Sequence, residues 1–471
     1  MRIPTPTTPA HAETLRQELR VQLRLAWPVV LGMIGMMGMG VVDTVMVGAF
    51  GGEALAGVAL AVTWCWGVAV VARNAAKGLD PLVSQAFGAG ERQGAGRALV
   101  HGLVMALLLS LPVAVAHLFA ARGLALLGQP LKLLPLAQSY ATILAPGVPA
   151  MLVGVVVQQF LQNLGVVKPA TVAVLLANAV NLVLDWVLMR GLGSWPGLGP
   201  VGCAWASLFS QLFLLLVLCW LARDVLRSWW PADWRVQARD LRGVREILSL
   251  GLPVGLQIAI ETWGFQFAGV MVGWLGETQL AAHTVALNLA TFTFMTPLGI
   301  SAAAATRVGN LVGAGRPWGR AAIASLGMGA TFMALSAVAL RLLPHELALV
   351  YTRDPTVVSL AAVLIPVAGA FQLVDGIQVV GFGILRGLAD LRVPALVNVV
   401  VWWFLGMPLA WTLAFRMEMG ARGIWIGLAC SLGLVATVLL LRIGWLHHRG
   451  VRALPLRSLP PGAPARPPPG R

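Results

Sequence analysis

Residues 25–50 read LAWPVVLGMIGMMGMGVVDTVMVGAF, a run of apolar and small side chains broken by one charge, Asp43. About 20 apolar residues carry a helix across a hydrocarbon core, and this run is long enough to do so. A carboxylate at such depth costs roughly 2.5–3.5 kcal/mol on insertion scales, so it is expected to face a bundle interior and to serve a function there. Three further apolar segments repeat the anomaly: Asp185 in TVAVLLANAVNLVLDWVLM, Glu261 in LPVGLQIAIETWGFQFAGVMVGW, and Asp375 in VLIPVAGAFQLVDGIQVVGFGIL. One such acid can be a neutral, hydrogen-bonded packing group. Four of them in separate spans point to groups that carry cations or protons.

Composition agrees with a membrane setting. Hydrophobic residues make up 58% of the 471, charged residues 11%, and the mean hydropathy is +0.82. No soluble domain buries that much apolar surface, so the chain reads as an all-α integral membrane protein. Twelve apolar segments are expected, near 25–50, 54–79, 98–121, 136–160, 169–190, 203–222, 247–275, 279–305, 321–343, 357–383, 394–415 and 420–446. They divide the chain into a cytoplasmic N-terminal segment (1–24), a six-helix bundle (25–222), a charged cytoplasmic linker (223–246), a second six-helix bundle (247–446) and a Pro/Arg-rich, disordered cytoplasmic tail (447–471). Glu13 to Arg24 could form a short amphipathic helix on the membrane surface, and no cleavable signal peptide precedes it.

The net charge of +15 does not imply nucleic acid, because the basic residues sit mainly in short loops and tails, as topology signals and lipid-headgroup contacts do. An even number of spans puts both termini on one side. With the termini inside, 24 Lys and Arg fall in internal loops and tails and 7 outside, which makes both termini cytoplasmic. The four cysteines, Cys65, Cys203, Cys219 and Cys430, lie in apolar stretches without paired spacing and read as small core residues.

The halves repeat. Pro28 and Pro253, Gly90 and Gly315, and Pro169 and Pro394 are each 225 residues apart, with LVSQAFGAGER beside TRVGNLVGAGR and VVKPATVAV beside LRVPALVNV. Both GAG turns follow the second helix of their half on the same side, so two parallel six-helix bundles are expected, related by a pseudo-twofold axis along the membrane normal. Substrate in such architectures binds near the midplane between the halves. The GAG turns lack the strand context of a phosphate loop.

The acids break this repeat. Their counterparts at the same offset are Ala268 for Asp43, Ala410 for Asp185, Met36 for Glu261 and Ala150 for Asp375. Each half should therefore hold its own acidic cluster. Asn181 and Asp185 share one face of the fifth helix. With Asp43, and with the Ser207 hydroxyl of the sixth, they could ligate a small cation or share a proton. Interhelical hydrogen bonding explains Asn181 and Ser207 equally well. Glu261 and Asp375 could form the second cluster.

Arg73, Lys77 and Asp80 fall on roughly one face of the second helix. Lys77 and Asp80, three apart, could pair, with Asp80 at the cytoplasmic edge and Lys77 snorkelling toward it. Arg73 is too deep for that explanation; the functional reading is a basic group near Asp43 that alters its pKa or admits less cationic substrates. His283 and Asn288 lie on the eighth helix, where a lone histidine is more often a packing residue than a titrating one. Trp64, Trp66, Trp263, Met36, Met37 and Met39 could face organic cations or lipid. Trp229, Trp230 and Trp234 are expected at the membrane interface.

Eight segments, taken in order, resemble the NorM-type members of the multidrug and toxic compound extrusion (MATE) family. They are MGVVDTVMVG (39–48), PLVSQAFGAG (81–90), KPATVAVLLANAVNLVLDW (168–186), GPVGC (199–203), GLPVGLQIAIE (251–261), AAHTVALN (281–288), RVGNLVGAG (307–315) and DGIQVVGFGILRGLAD (375–390). The resemblance runs from about Leu23 to His447. It implies a monomeric secondary transporter of a bacterial inner membrane, not an enzyme. Such a protein exports amphipathic or cationic small molecules against H⁺ or Na⁺ by alternating access, without a bound cofactor. Position by position, it implies that Asp43, Asn181, Asp185 and Ser207 form an N-lobe cation-coupling site and that Glu261 and Asp375 serve the ion in the C-lobe. Phe371, one turn before Asp375, stands where related exporters have a tyrosine, so the ring is kept and its oxygen is not. Arg73 and Lys77 depart from the family pattern, which is mostly apolar there. The alternative reading is a lipid-linked precursor flippase of the same broad superfamily.

Overall fold

Twelve helices long and apolar enough to cross a membrane make up the computed structural model, which describes residues 14–194, 196–451 and 453–454. The first lobe holds Leu15–Gly48, Gly52–Gly88, Arg92–Leu118, Leu131–Asn163, Lys168–Arg190 and Val201–Leu221. The second holds Leu241–Gly273, Glu277–Gly313, Gly319–Leu342, Pro355–Gly387, Arg392–Arg416 and Gly420–Arg449. They are called the first to twelfth spans below. Helix is the outcome the setting dictates, since lipid offers backbone groups no hydrogen-bond partner. Pro28, Pro112, Pro253, Pro297 and Pro366 lie inside spans, where a bundle, unlike lipid, can offer new partners to the carbonyls a proline frees.

Local signals set the ends. Thr14 opens the first span with a reciprocal cap: its hydroxyl accepts from the Gln17 N–H at 3.3 Å, and the Gln17 side chain accepts from the Thr14 N–H at 3.2 Å. Asp354 caps the tenth span, accepting from the Thr356 N–H at 2.9 Å and its hydroxyl at 2.6 Å. These bonds hold the exposed Asp354 carboxyl below the usual carboxylate range. The two equivalent GAG turns leave their helices through Gly90 (φ 77°) and Gly315 (φ 64°), a conformation that favours glycine.

The repeat predicted from sequence is visible in the packing between lobes. A Cβ on Gly88 would lie 2.0 Å from the Asn310 carbonyl oxygen, and one on Gly313 would lie 2.0 Å from that of Gln85. Gly88 and Gly313, like Gln85 and Asn310, are 225 residues apart. The second and eighth spans therefore cross on the pseudo-twofold axis, their backbones as close as glycine allows. Around this crossing the seventh span presses Gly251 onto the Ala75 carbonyl, and Gly299 of the eighth packs on Val30 of the first. All these contacts lie toward the end of the molecule that carries both chain termini. Toward the opposite end the first span exposes Met36, Val41 and Val45, and a Cβ on Gly38, Gly40 or Gly67 would meet nothing. The close contacts between the lobes therefore gather on the termini side, and the exposed stretch of the first span marks the other half as the place for a cleft between them.

Three expectations change. The segment before residue 25 is not a surface helix: Leu15 continues without a break into the first span, because Glu18 is buried against the second lobe in an ion pair with Arg307. The last span runs on to Arg449, into the segment read as a disordered tail; residues 455–471 lie outside those described. Trp229 does not sit at an interface. It is buried between Phe87 and Phe160, with the Arg92 guanidinium 5.5 Å above its ring, and it anchors the linker to the first lobe.

Candidate ion and substrate sites

In the first lobe, one carboxylate oxygen each of Asp43 and Asp185 and the Cys203 sulfur lie within 4.8 Å of one another. The first, fifth and sixth spans supply them, in the half away from the termini. Asn181 and Ser207 also flank Asp43. Asn181 and Asp185, four apart on one helix face, are wholly buried, and neither side chain has a hydrogen-bond partner among the described residues. Buried polar atoms are ordinarily paired, so this group of orphaned oxygens is chemically unfinished. Its donor set suits one small hard cation, or a proton held between the acids.

Two neighbours of this group were not singled out in the sequence. Cys203, read as a core filler, sits one turn before Ser207 on the same face, a spacing that could have flagged it. The Tyr140 hydroxyl from the fourth span lies 3.9 Å from the Cys203 sulfur. Nothing in its local sequence gives it away.

In the second lobe, Glu261 accepts a 2.9 Å hydrogen bond from the Asn398 amide, whose oxygen in turn accepts from Gln378 at 3.3 Å. Asp375 is buried close enough to Glu261 for their charges to interact. Phe371 is packed edge-on to Trp425 at 5.3 Å and to Phe265 at 6.0 Å, which fixes the helix face that carries Asp375. His283 lies in the same aromatic core, 5.6 Å from the Trp425 ring, with both ring nitrogens unpartnered. Asn288 is exposed and off the His283 face.

Asp80 overturns an expectation. It is not at an edge, and its partner is not Lys77. It is 1% exposed, takes hydrogen bonds from Gln159 and Asn163 of the fourth span, and forms an ion pair across the lobes with Arg386 of the tenth, 3.4 Å away. Arg386 also donates to Ser301 at 3.2 Å. The lobe contact brings this arginine to Asp80, an interaction 306 positions of chain cannot foretell. Lys77 and Arg73 remain half-buried one turn apart. The Arg73 guanidinium donates to the Met151 sulfur at 3.6 Å.

Comparison with known proteins now bears on this arrangement. The sequence matches the MatE family over residues 28–187 and again over 253–412, two stretches in the register of the internal repeat. The probable multidrug resistance protein NorM of Burkholderia pseudomallei is 34% identical, over 97% of this chain and 96% of its own. The multidrug resistance protein NorM of Burkholderia vietnamiensis is 35% identical, over 90% of this chain and 92% of its own. Among solved structures, an outward-facing conformation of a multidrug resistance MATE family transporter superposes with a TM-score of 0.85 at 20% identity, covering 94% of this chain and 99% of that one. That likeness speaks to the fold, and the repeated match together with the full-length relatives to descent: the chain belongs to the MatE family.

Proposed function

We propose that the protein is a secondary antiporter of a bacterial inner membrane, with both termini cytoplasmic. It exports amphipathic, often cationic, compounds in exchange for H⁺ or Na⁺. The relatives are named as multidrug resistance proteins, which supports export of drug-like molecules. The single observation that carries the exchange is the close pair of Asp43, half-buried, and Asp185, buried with neither oxygen hydrogen-bonded among the described residues, in the half away from the termini.

The mechanism follows from competition. With the termini side closed, the cleft opens outward, where a proton or Na⁺ reaches the acids and neutralises them. A neutral site holds a cationic substrate less well, so substrate leaves to the outside. Rocking of the lobes then exposes the loaded acids inward, where cation loss restores the charge and a new substrate binds. The ion gradient supplies the energy, so no cofactor and no catalytic residue is required. Glu261 and Asp375 are a second candidate ion site, with Asn398 and Gln378 fixing Glu261.

The test is ethidium efflux from a pump-deficient bacterium carrying the wild type, Asp43→Asn, Glu261→Gln or Asp375→Asn, with and without Na⁺. Efflux that persists without Na⁺, fails with a protonophore and requires Asp43 assigns proton coupling to the first lobe. Na⁺ dependence lost with Glu261 or Asp375 moves coupling to the second. A well-expressed wild type without efflux refutes the proposal.

A further inference from the structure

We propose that Arg73 and Lys77 form an anion subsite on the floor of the cleft, taking the carboxylate or sulfonate head of an amphipathic substrate. This rests on the export reading and narrows its substrate class. Residues 73, 77, 80, 84 and 88 recur at helical spacing and form one stripe along the second span. At the termini end of the stripe, Gly88 and Ser84 are pressed against Asn310 and Gly309 of the other lobe. One turn further along, Asp80 pairs with Arg386. Beyond that pair come Lys77 and then Arg73, both half-buried. Beside them the seventh span stays backbone-close, Gly251 on the Ala75 carbonyl and Gly255 on that of Val71, whereas a Cβ on Gly67, one turn further, would meet nothing. The stripe therefore carries both cations into the last stretch of interlobe contact, at the base of the proposed cleft.

Their lack of an acidic partner among the described residues is what distinguishes them. The fully buried arginines are matched, Arg307 to Glu18 and Arg386 to Asp80. No acid lies within 4.0 Å of Arg73 or Lys77 among the described residues. The nearby acids are already engaged: Asp80 by Arg386, Gln159 and Asn163, and Glu261 by Asn398. Glu261 and Asp80 act on Lys77 only through space. Two like charges one helical turn apart also repel each other. An arriving anion relieves both problems, and a planar carboxylate fits the guanidinium fork with the ammonium beside it.

The test uses purified protein in phosphatidylcholine nanodiscs and two dyes that differ only in the head: rhodamine B, which bears a free carboxylate, and its ethyl ester. Fluorescence polarisation should show the acid bound about tenfold more tightly than the ester. Arg73→Gln and Lys77→Gln should each weaken the acid by about tenfold while leaving the ester within about twofold, and Arg73→Lys, which keeps the charge and loses the fork, should keep only part of the preference. Ester binding also reports that each variant is folded. An ester bound as tightly as the acid, with both variants neutral, overturns the subsite and leaves the export reading standing. Loss of both dyes together in the glutamine variants overturns it too, by making the pair structural. If wild type binds neither dye but binds a short-chain polyprenyl phosphate through Arg73, the pair serves a lipid phosphate, and both the subsite and the export reading fall.

Discussion

Arg386 Nε lies 3.4 Å from Asp80 Oδ2, joining the tenth span of one lobe to the second span of the other with both side chains more than nine-tenths buried. The pair is close enough for strong attraction but makes no hydrogen bond. A contact of that kind holds the lobes together yet can part as a unit. It has no twin in the repeat, where the counterparts of Asp80 and Arg386 are Ala305 and Leu161. The glycine crossing beside it is symmetric. The scaffold of closure thus follows the pseudo-twofold axis, and the charges that bias it do not.

Removing one member of this pair leaves the other buried without its counter-charge, at a cost of up to about 3–5 kcal/mol that opening the termini side can relieve. Asp80→Asn and Arg386→Gln should therefore open that side. Spin labels at the exposed Glu91 and Pro317, on the two GAG turns, should show a longer distance in both variants than in wild type. An unchanged distance distribution would remove the pair from the gate.

The glycine crossing gives a steric version of the same test. Gly88→Ala and Gly313→Ala each put a methyl group 2.0 Å from a carbonyl oxygen of the other lobe. Overpacking of this sort costs about 1–3 kcal/mol, and symmetry requires the two variants to behave alike. Gly327→Ala, at a position with open space around it, should be neutral. Thermal unfolding of the three variants, with the same label pair, checks both statements.

Glu18 accepts two hydrogen bonds from Arg307, at 2.6 and 2.8 Å, with both groups buried. Glu18→Gln should destabilise the protein by about 3–5 kcal/mol, whereas Arg16→Gln, two residues earlier and exposed, should change little. A thermal midpoint of Glu18→Gln equal to wild type would mean that the first turns of the helix do not clamp the lobes.

Asp43 and Asp185 share one site, so their effects should not add. Asp43→Asn and Asp185→Asn should each reduce ethidium uptake into everted vesicles by at least about tenfold. The double variant should be no worse than the weaker single one. Multiplicative losses would show two independent sites.

How much of this was legible in the sequence differs by level. The spans were, because apolar runs of sufficient length have one stable form in lipid. The repeat was, because glycine and proline at fixed offsets mark backbone positions that no other residue fills well. Asp43, Asn181 and Asp185 were also visible, since an acid in an apolar run is conspicuous and helical spacing places its neighbour. What could not be read was pairing between lobes. Asp80 with Arg386 and Glu18 with Arg307 depend on how two bundles dock, and local spacing instead offered Lys77 as the partner of Asp80. Cys203 and Tyr140 escaped for another reason, since a small thiol and a lone ring in apolar surroundings look like packing until the acids are seen beside them.

The most direct test of the account is cation exchange in proteoliposomes of purified protein. A pH gradient, and separately a Na⁺ gradient, is imposed while ethidium uptake and internal pH are followed together. One of the two gradients should drive ethidium movement against its own gradient, with cation moving the opposite way, and Asp43→Asn or Asp185→Asn should abolish both fluxes together. Ethidium moving equally fast with no cation gradient, or coupled fluxes surviving in both variants, would contradict it.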